Sequence, residues 1–343
     1  MSLKTNLLAS AFGLSLVLVG ASAQAETVLT VSSWVPQTHF VHTDILVPYA
    51  EEVAKVTEGR VTLNIMPAPL GAPAQHFELA RTGVADITWG NFTYEPERFV
   101  SVWFSEFPFV GTDAEASSVA LWRTYDKHLG DNAAFDGVEI LGVGLFGGGH
   151  IHHGSKPVIT PEDIASQKVR IGGPIQTQIM EALGAVPVAA PGTKAYELLE
   201  GGVIDASLHS VESVMNFRLE EQLQNHTLVP GGLYDASFFI AINEAKWQGL
   251  EEADRAAIAA ISGEALSRAW GQQFDLQNEK AMKLFTEAGH QFHEPSAELM
   301  AAITAVSDKM IADWIVAAKA AGVADPEAMR ADYLAAYAEE SAK

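Results

Sequence analysis

The chain contains no cysteine, so neither disulfide staples nor a lipid-modified cysteine after a leader can be part of its design. Basic residues are also scarce: 21 Lys and Arg stand against 43 Asp and Glu, a formal net charge of −22. A surface of that sign repels phosphate backbones and anionic lipid, which excludes nucleic acid and membrane surfaces as partners. Beyond the N-terminus no apolar run approaches the roughly 20 residues needed to span a bilayer. No G-x-S-x-G elbow, Walker A loop or H-E-x-x-H helix is present. The sequence therefore gives no sign of catalytic residues, a metal or a cofactor.

What is there begins with a leader. Lys4, an apolar stretch from Leu7 to Val19 and Ala23-Gln24-Ala25 make the charged, apolar and A-x-A series of a cleavable secretory signal. The mature chain is expected to start near Glu26 and to be soluble in the periplasm. Losing Lys4 takes its net charge to −23. About 318 residues remain, which suits two domains rather than one small core.

Strand and helix patterns alternate along the mature chain. Val28, Leu29 and Val31 mark a strand over 27–33, and Ile45, Tyr49, Val53 and Val56 share one helical face over 44–57. Strands at 61–65 and 84–89 follow, separated by a short helix over 75–81. A second cycle runs from 138–141 through strands at 168–171, 186–189 and 204–209, with helices at 175–183 and 193–199. Thr160-Pro161-Glu162-Asp163 opens a helix with an N-cap, a first-turn proline and acids. A strand at 238–242 returns to the first domain, and two long helical tracts, 251–287 and 297–321, finish the chain. Leu299, Ile303, Val306, Met310 and Trp314 form an apolar stripe on the second tract, read as core packing. The order predicts an α/β fold of two lobes, each a mixed, mostly parallel sheet flanked by helices, with long C-terminal helices. The expected division is signal peptide 1–25, first lobe 26–147, second lobe 148–235, return to the first lobe 236–275, and completion of the second lobe with the C-terminal helices 276–343.

Two patterns need weighing. Gly142-Val143-Gly144-Leu145-Phe146-Gly147 matches G-x-G-x-x-G, but no helix can open inside it because Gly148, Gly149 and a histidine run follow. The glycines read instead as a flexible crossing between lobes. His150, His152 and His153 admit a zinc site only if further ligands come from elsewhere; otherwise they line a polar cleft or are solvated. Arg170 is the more telling residue. It interrupts the apolar strand 168–171 ahead of Gly172-Gly173-Pro174, near the strand end where open α/β sheets bind ligands. A guanidinium suits bidentate recognition of a carboxylate, although a surface ion pair is the plainer use of a strand-end arginine. His209 closes the strand 204–209 toward the same edge.

The segments Thr160–Ile164, Lys168–Arg170, Met180–Pro187, Tyr196–Leu199 and Gly202–Asp205, with Gly59–Val61, Leu70-Gly71, Gly83–Asp86 and Phe107–Phe109, resemble the solute-binding receptors of tripartite ATP-independent periplasmic (TRAP) transporters. The resemblance spans nearly the whole mature chain. It implies a two-lobed periplasmic-binding-protein fold that closes on a small organic acid and delivers it to integral-membrane permease subunits. The absence of a catalytic constellation predicts no turnover, and a monomer is expected. The resemblance also implies that Arg170 binds the ligand carboxylate, with His209 as a buttress. Many members carry a second arginine where this chain has Gly149-His150, and a covering aromatic where it has Gly192. The expected ligand is therefore a monocarboxylate. Gln75, His150, Trp34, Trp89 and Phe92 complete the candidate ligand contacts, and Tyr94 adds aromatic surface, each with core packing as the alternative for its ring. A receptor for an ATP-driven importer and a metal-dependent periplasmic enzyme built on His150–His153 are the rival readings.

Overall fold

The computed structural model describes residues 26–343, so the expected leader lies outside the described residues. Among the described residues eleven strands form two sheets. The first holds β1 (Thr27–Ser32), β2 (Val61–Ile65), β3 (Ile87–Asn91), β4 (Val138–Leu145) and β10 (Ser237–Asn243), in the order β2-β1-β3-β10-β4. Its β1, β2 and β3 run parallel, and β10 inserts antiparallel to both β3 and β4. The second holds β5 (His150–His153), β6 (Lys168–Ile171), β7 (Val186–Ala189), β8 (Ala206–His209), β9 (Asn225–Thr227) and β11 (Gln291–His293), in the order β11-β9-β5-β8-β6-β7. Parallel β8, β6 and β7 form one side of it, ending on β7 as an edge, with β5 antiparallel to β8 and β9. Two mixed sheets flanked by helices are the expected architecture.

The chain passes between the sheets at two adjacent points. Residues 146–149 lead from β4 to β5, and residues 234–236 lead back into β10. The passes pair with one another, the amide of Gly149 donating to the Tyr234 carbonyl at 2.6 Å. Gly147 and Gly148 adopt φ of 82° and 89°, a conformation that a side chain disfavours. Buried Asp235 accepts from the amides of Phe146 (3.0 Å) and Gly148 (3.1 Å), tying one pass to the other.

Several sequence expectations change here. Only the last part of the glycine run is a crossing, because Gly142 and Gly144 lie inside β4. A Cβ on Gly144 would sit 2.0 Å from Trp270 Cδ1, so these glycines let a helix lie against the strand. The tract 251–287 is two helices, Glu252–Ile261 and Glu264–Ala288. Gly263 breaks it with φ of 64° and anchors its amide on the Leu141 carbonyl at 2.6 Å. A helix at Ala114–His128 and a last one at Pro326–Glu340 were not foreseen. They pack together, joined by Arg123–Glu340 (2.8 Å) and by Arg268, which reaches both Glu115 (2.7 Å) and Glu340 (3.1 Å). Of the C-terminal helices, the last covers the first lobe. Helix Ala297–Ala320 touches both, packing on the turn Val100–Ser105 and on helix Pro174–Ala182. Its stripe is core packing as expected, with Leu299, Ile303, Met310 and Trp314 fully buried and the Trp314 indole donating to the Val100 carbonyl at 2.9 Å.

Candidate functional site

Between the two sheets lies a cavity lined by residues of both lobes. Arg170 reaches it from β6 and is 5% exposed. The neighbouring strands explain its posture. Its Nε donates to the carbonyl of Ala190, just past β7, at 2.8 Å, and its Nη1 donates to Leu208 of β8 at 2.9 Å. No carboxylate among the described residues pairs with it. Burial lowers its pKa, but an arginine stays charged at any ordinary pH. With Nε and one Nη1 hydrogen engaged, Nη2 and the other Nη1 hydrogen remain for a ligand. A buried cation without a counterion is costly, and an anionic guest relieves that cost.

His209, at the end of β8, lines the same cavity, and its Nε2 has no protein partner. Burial first, then the Arg170 charge, holds its pKa well below the usual histidine value, so the ring is neutral. Trp34 and Trp89 form part of the opposite wall, their rings 4.5 Å apart, with Tyr94 edge-on to Trp34 at 6.2 Å. Four of the seven expected ligand contacts thus meet in one place.

The other three do not. Phe92 is 1% exposed and packs among Phe99, Phe135 and Phe239, inside the first lobe's core. Gln75 is exposed and closes its own turn, accepting from the Ala72 amide at 2.8 Å. His150 turns behind the crossing, where its Nδ1 accepts from the Val229 amide at 3.2 Å. The histidine run also proves structural. His152 Nε2 lies 3.0 Å from the His209 carbonyl, which can only accept, so that nitrogen carries the proton. His152 Nδ1 then accepts from His226 Nδ1 at 2.7 Å, and His226 Nε2 accepts from His290 Nδ1 at 2.8 Å. Every ring nitrogen of His152 and His226 is used. His153 is likewise spent on Ser155 and Gln167. Among the described residues no three His, Cys, Asp or Glu side chains are placed to hold a metal.

Residues that sequence reasoning missed complete the walls. The two positions read as lacking a side chain are filled by others. A Cβ on Gly149 would lie 2.1 Å from Tyr234 Cε1, and one on Gly192 would lie 2.9 Å from Phe217 Cε2. Both rings line the cavity, so neutral aromatics occupy the space beside Gly149 and Gly192. Glu212 also lines it and is 2% exposed. Its Oε1 accepts from Ser210 (2.8 Å) and Ser213 (2.6 Å), and its Oε2 from Asn216 (2.9 Å). Burial raises its pKa, and no cation is paired with it. Beside the cavity the lobes touch where Gly173 meets Thr93, so closely that a Cβ on Gly173 would fall 1.6 Å from Thr93 Cγ2.

Comparison with known proteins places this arrangement. A TRAP periplasmic solute-binding protein from Bordetella bronchiseptica, solved with (R)- and (S)-mandelate bound, superposes with a TM-score of 0.88 at 34% identity, covering 92% of this chain and 99% of that one. A marine metagenome TRAP protein described as specific for aromatic acid ligands, in complex with 3-hydroxybenzoate, has a TM-score of 0.84 at 30% identity over the same shares. A curated relative, the outer membrane transporter protein TsaT of Comamonas testosteroni, is 30% identical over 312 residues, 91% of this chain and 92% of its own length. Residues 31–316 match the family model DctP, and the chain belongs to that family, the bacterial extracellular solute-binding proteins, family 7.

Proposed function

We propose that the protein is the periplasmic receptor of a TRAP-type transporter and captures an aromatic monocarboxylate by cleft closure, handing it unaltered to membrane permease subunits. The observation that carries this reading is Arg170: a buried guanidinium with no counterion among the described residues, Nη2 and one Nη1 hydrogen free, in a cavity walled by aromatic rings. The carboxylate sits on those hydrogens and the ring packs against Trp34, Trp89 and Phe217. Mandelate and 3-hydroxybenzoate in the similar structures are ligands of this kind. Arg170 and Glu212 are the charged residues on the cavity wall, so a second carboxylate would find no further cation there and diacids are disfavoured. Hinge motion at Gly147-Gly148 and residues 234–236 admits the ligand.

A thermal-shift screen tests this directly. Benzoate, mandelate and hydroxybenzoates are expected to raise the melting temperature, a ligand at about 100 times Kd adding roughly 2.7 kcal/mol of stability. Succinate or malate as the leading hits, or chemically altered ligand recovered after incubation, would overturn the proposal.

Affinity for such an acid should also be nearly constant between pH 6 and 8. His39, the other histidine on the cavity, is held at about 4 by burial, and His209 lies well below 6.5, so both stay neutral throughout. Both titrate below this window, so neither gains nor loses a proton within it. Burial pushes Glu106 up to about 7, inside the window. Its partners Thr93 and Ser237 belong to its own lobe, and it does not line the cavity, so its proton is not shared with the ligand. Calorimetry at pH 6, 7 and 8 checks this. A fall of tenfold or more toward pH 8 would mean that a group titrating in this window, a protonated histidine or a carboxyl such as Glu106 or Glu212 losing its proton, acts on the bound anion.

A further inference from the structure

We infer that Tyr234 is a specificity-determining ligand contact, its hydroxyl donating to the carboxylate held by Arg170, and that Gly149 is glycine to admit its ring. This rests on the proposed carboxylate site. Tyr234 is 2% exposed and lines the cavity, yet its hydroxyl has no hydrogen-bond partner among the described residues. A buried phenol O–H ordinarily finds one. The Arg170 guanidinium is the charge that acts most on that phenol, and the phenol in turn acts on the guanidinium. Burial raises the phenol's pKa, so it remains a neutral O–H donor at every pH the protein meets. Phe146 fixes the ring by an edge-to-face contact at 5.5 Å, and Gly149 by leaving its space empty.

The location gives the contact a second consequence. Tyr234 belongs to the crossing strand, its carbonyl paired with the Gly149 amide and the amide of its neighbour Leu233 donating to the Gly149 carbonyl at 2.9 Å. A ligand oxygen bound to this hydroxyl is therefore attached to the pivot rather than to either lobe. The donor is neutral where a cation would favour a second negative charge, which selects for ligands with one carboxylate.

The test uses the mature protein with benzoate and mandelate as probes. Tyr234→Phe keeps the ring and removes only the donor, and affinity for both acids is expected to fall about 10- to 100-fold, the range for a hydrogen bond to a charged group. The ligand-free melting temperature should stay unchanged, as a residue that serves only packing would keep its affinity after this substitution. Gly149→Ala, which forces the ring to turn, should weaken the same acids while Tyr234→Phe made on top of it adds little. Wild-type affinity in Tyr234→Phe, or full additivity of the two changes, would overturn the inference while leaving the carboxylate site standing. If the unaltered protein binds neither probe, the receptor reading itself fails, and this inference with it.

Discussion

Replacing Arg170 with alanine is expected to cost about 2–5 kcal/mol of binding free energy, a loss of roughly 30- to 5,000-fold in affinity for the monocarboxylate. The size follows from where the charge sits. In a desolvated cleft lined by rings, each charge-assisted hydrogen bond counts for more than on the acidic outer surface. The ligand carboxylate would enter the truncated site with its principal counter-charge gone, and burying it unpaired is the larger part of the cost. Arg170→Lys should recover little. An ammonium on a flexible stem cannot hold the Ala190 and Leu208 carbonyls while offering two parallel hydrogens to the ligand. The fold should survive, because two carbonyl bonds are lost while a buried unpaired cation is also removed, and these act in opposite directions on stability. Calorimetry with the acid found by the screen, beside the ligand-free melting curve, measures both. An unchanged Kd would reduce Arg170 to a strap between β7 and β8.

Arg170 was legible in the sequence for a physical reason. A charge inside Val169-Arg170-Ile171 breaks an apolar alternation, and such a break in a central strand has to be compensated by neighbouring groups or by a ligand. Alternation made β2 and β6 legible, and an unbroken apolar run did the same for β10. β5 was not, since His150-Ile151-His152-His153 looks polar until the histidines satisfy one another across β9. Helix Ala114–His128 hides its buried face behind Ser117, Ser118 and Thr124, whose hydroxyls bond within the protein and so imitate solvated positions. The glycines at 149 and 192 could be noticed as missing side chains. What fills the gaps could not, because Tyr234 and Phe217 arrive from 85 and 25 residues along the chain through contacts set by the tertiary fold alone. Aromatic identity was no guide either: Trp34 and Phe92 read alike, yet one lines the cavity and the other lies in the core.

Gly173→Ala is expected to weaken ligand binding about 10- to 100-fold without lowering the ligand-free melting temperature, and Thr93→Ser in the same chain is expected to restore it. Gly173 caps the helix Pro174–Ala182 of the second lobe with φ of −169°, an extended backbone that alanine adopts freely, so no local strain is introduced. The obstacle lies across the cleft. The new methyl would sit 1.6 Å from Thr93 Cγ2, far inside contact distance, and only in the form where the lobes meet. Thr93 cannot simply swing aside. Its side chain is β-branched and stiff, and its hydroxyl donates to buried Glu106 at 2.8 Å, a bond that rotation would break. The lobes must then stay slightly apart, which for an overpacked contact costs about 1–3 kcal/mol, all of it charged to the closed and therefore ligand-bound form. Serine removes the offending methyl and keeps the hydroxyl on Glu106, so the pair should couple strongly in a double-mutant cycle. Calorimetry on the four proteins reads the coupling directly. Wild-type affinity in Gly173→Ala, or a loss that Thr93→Ser leaves untouched, would mean that ligand capture does not require Gly173 to close onto Thr93.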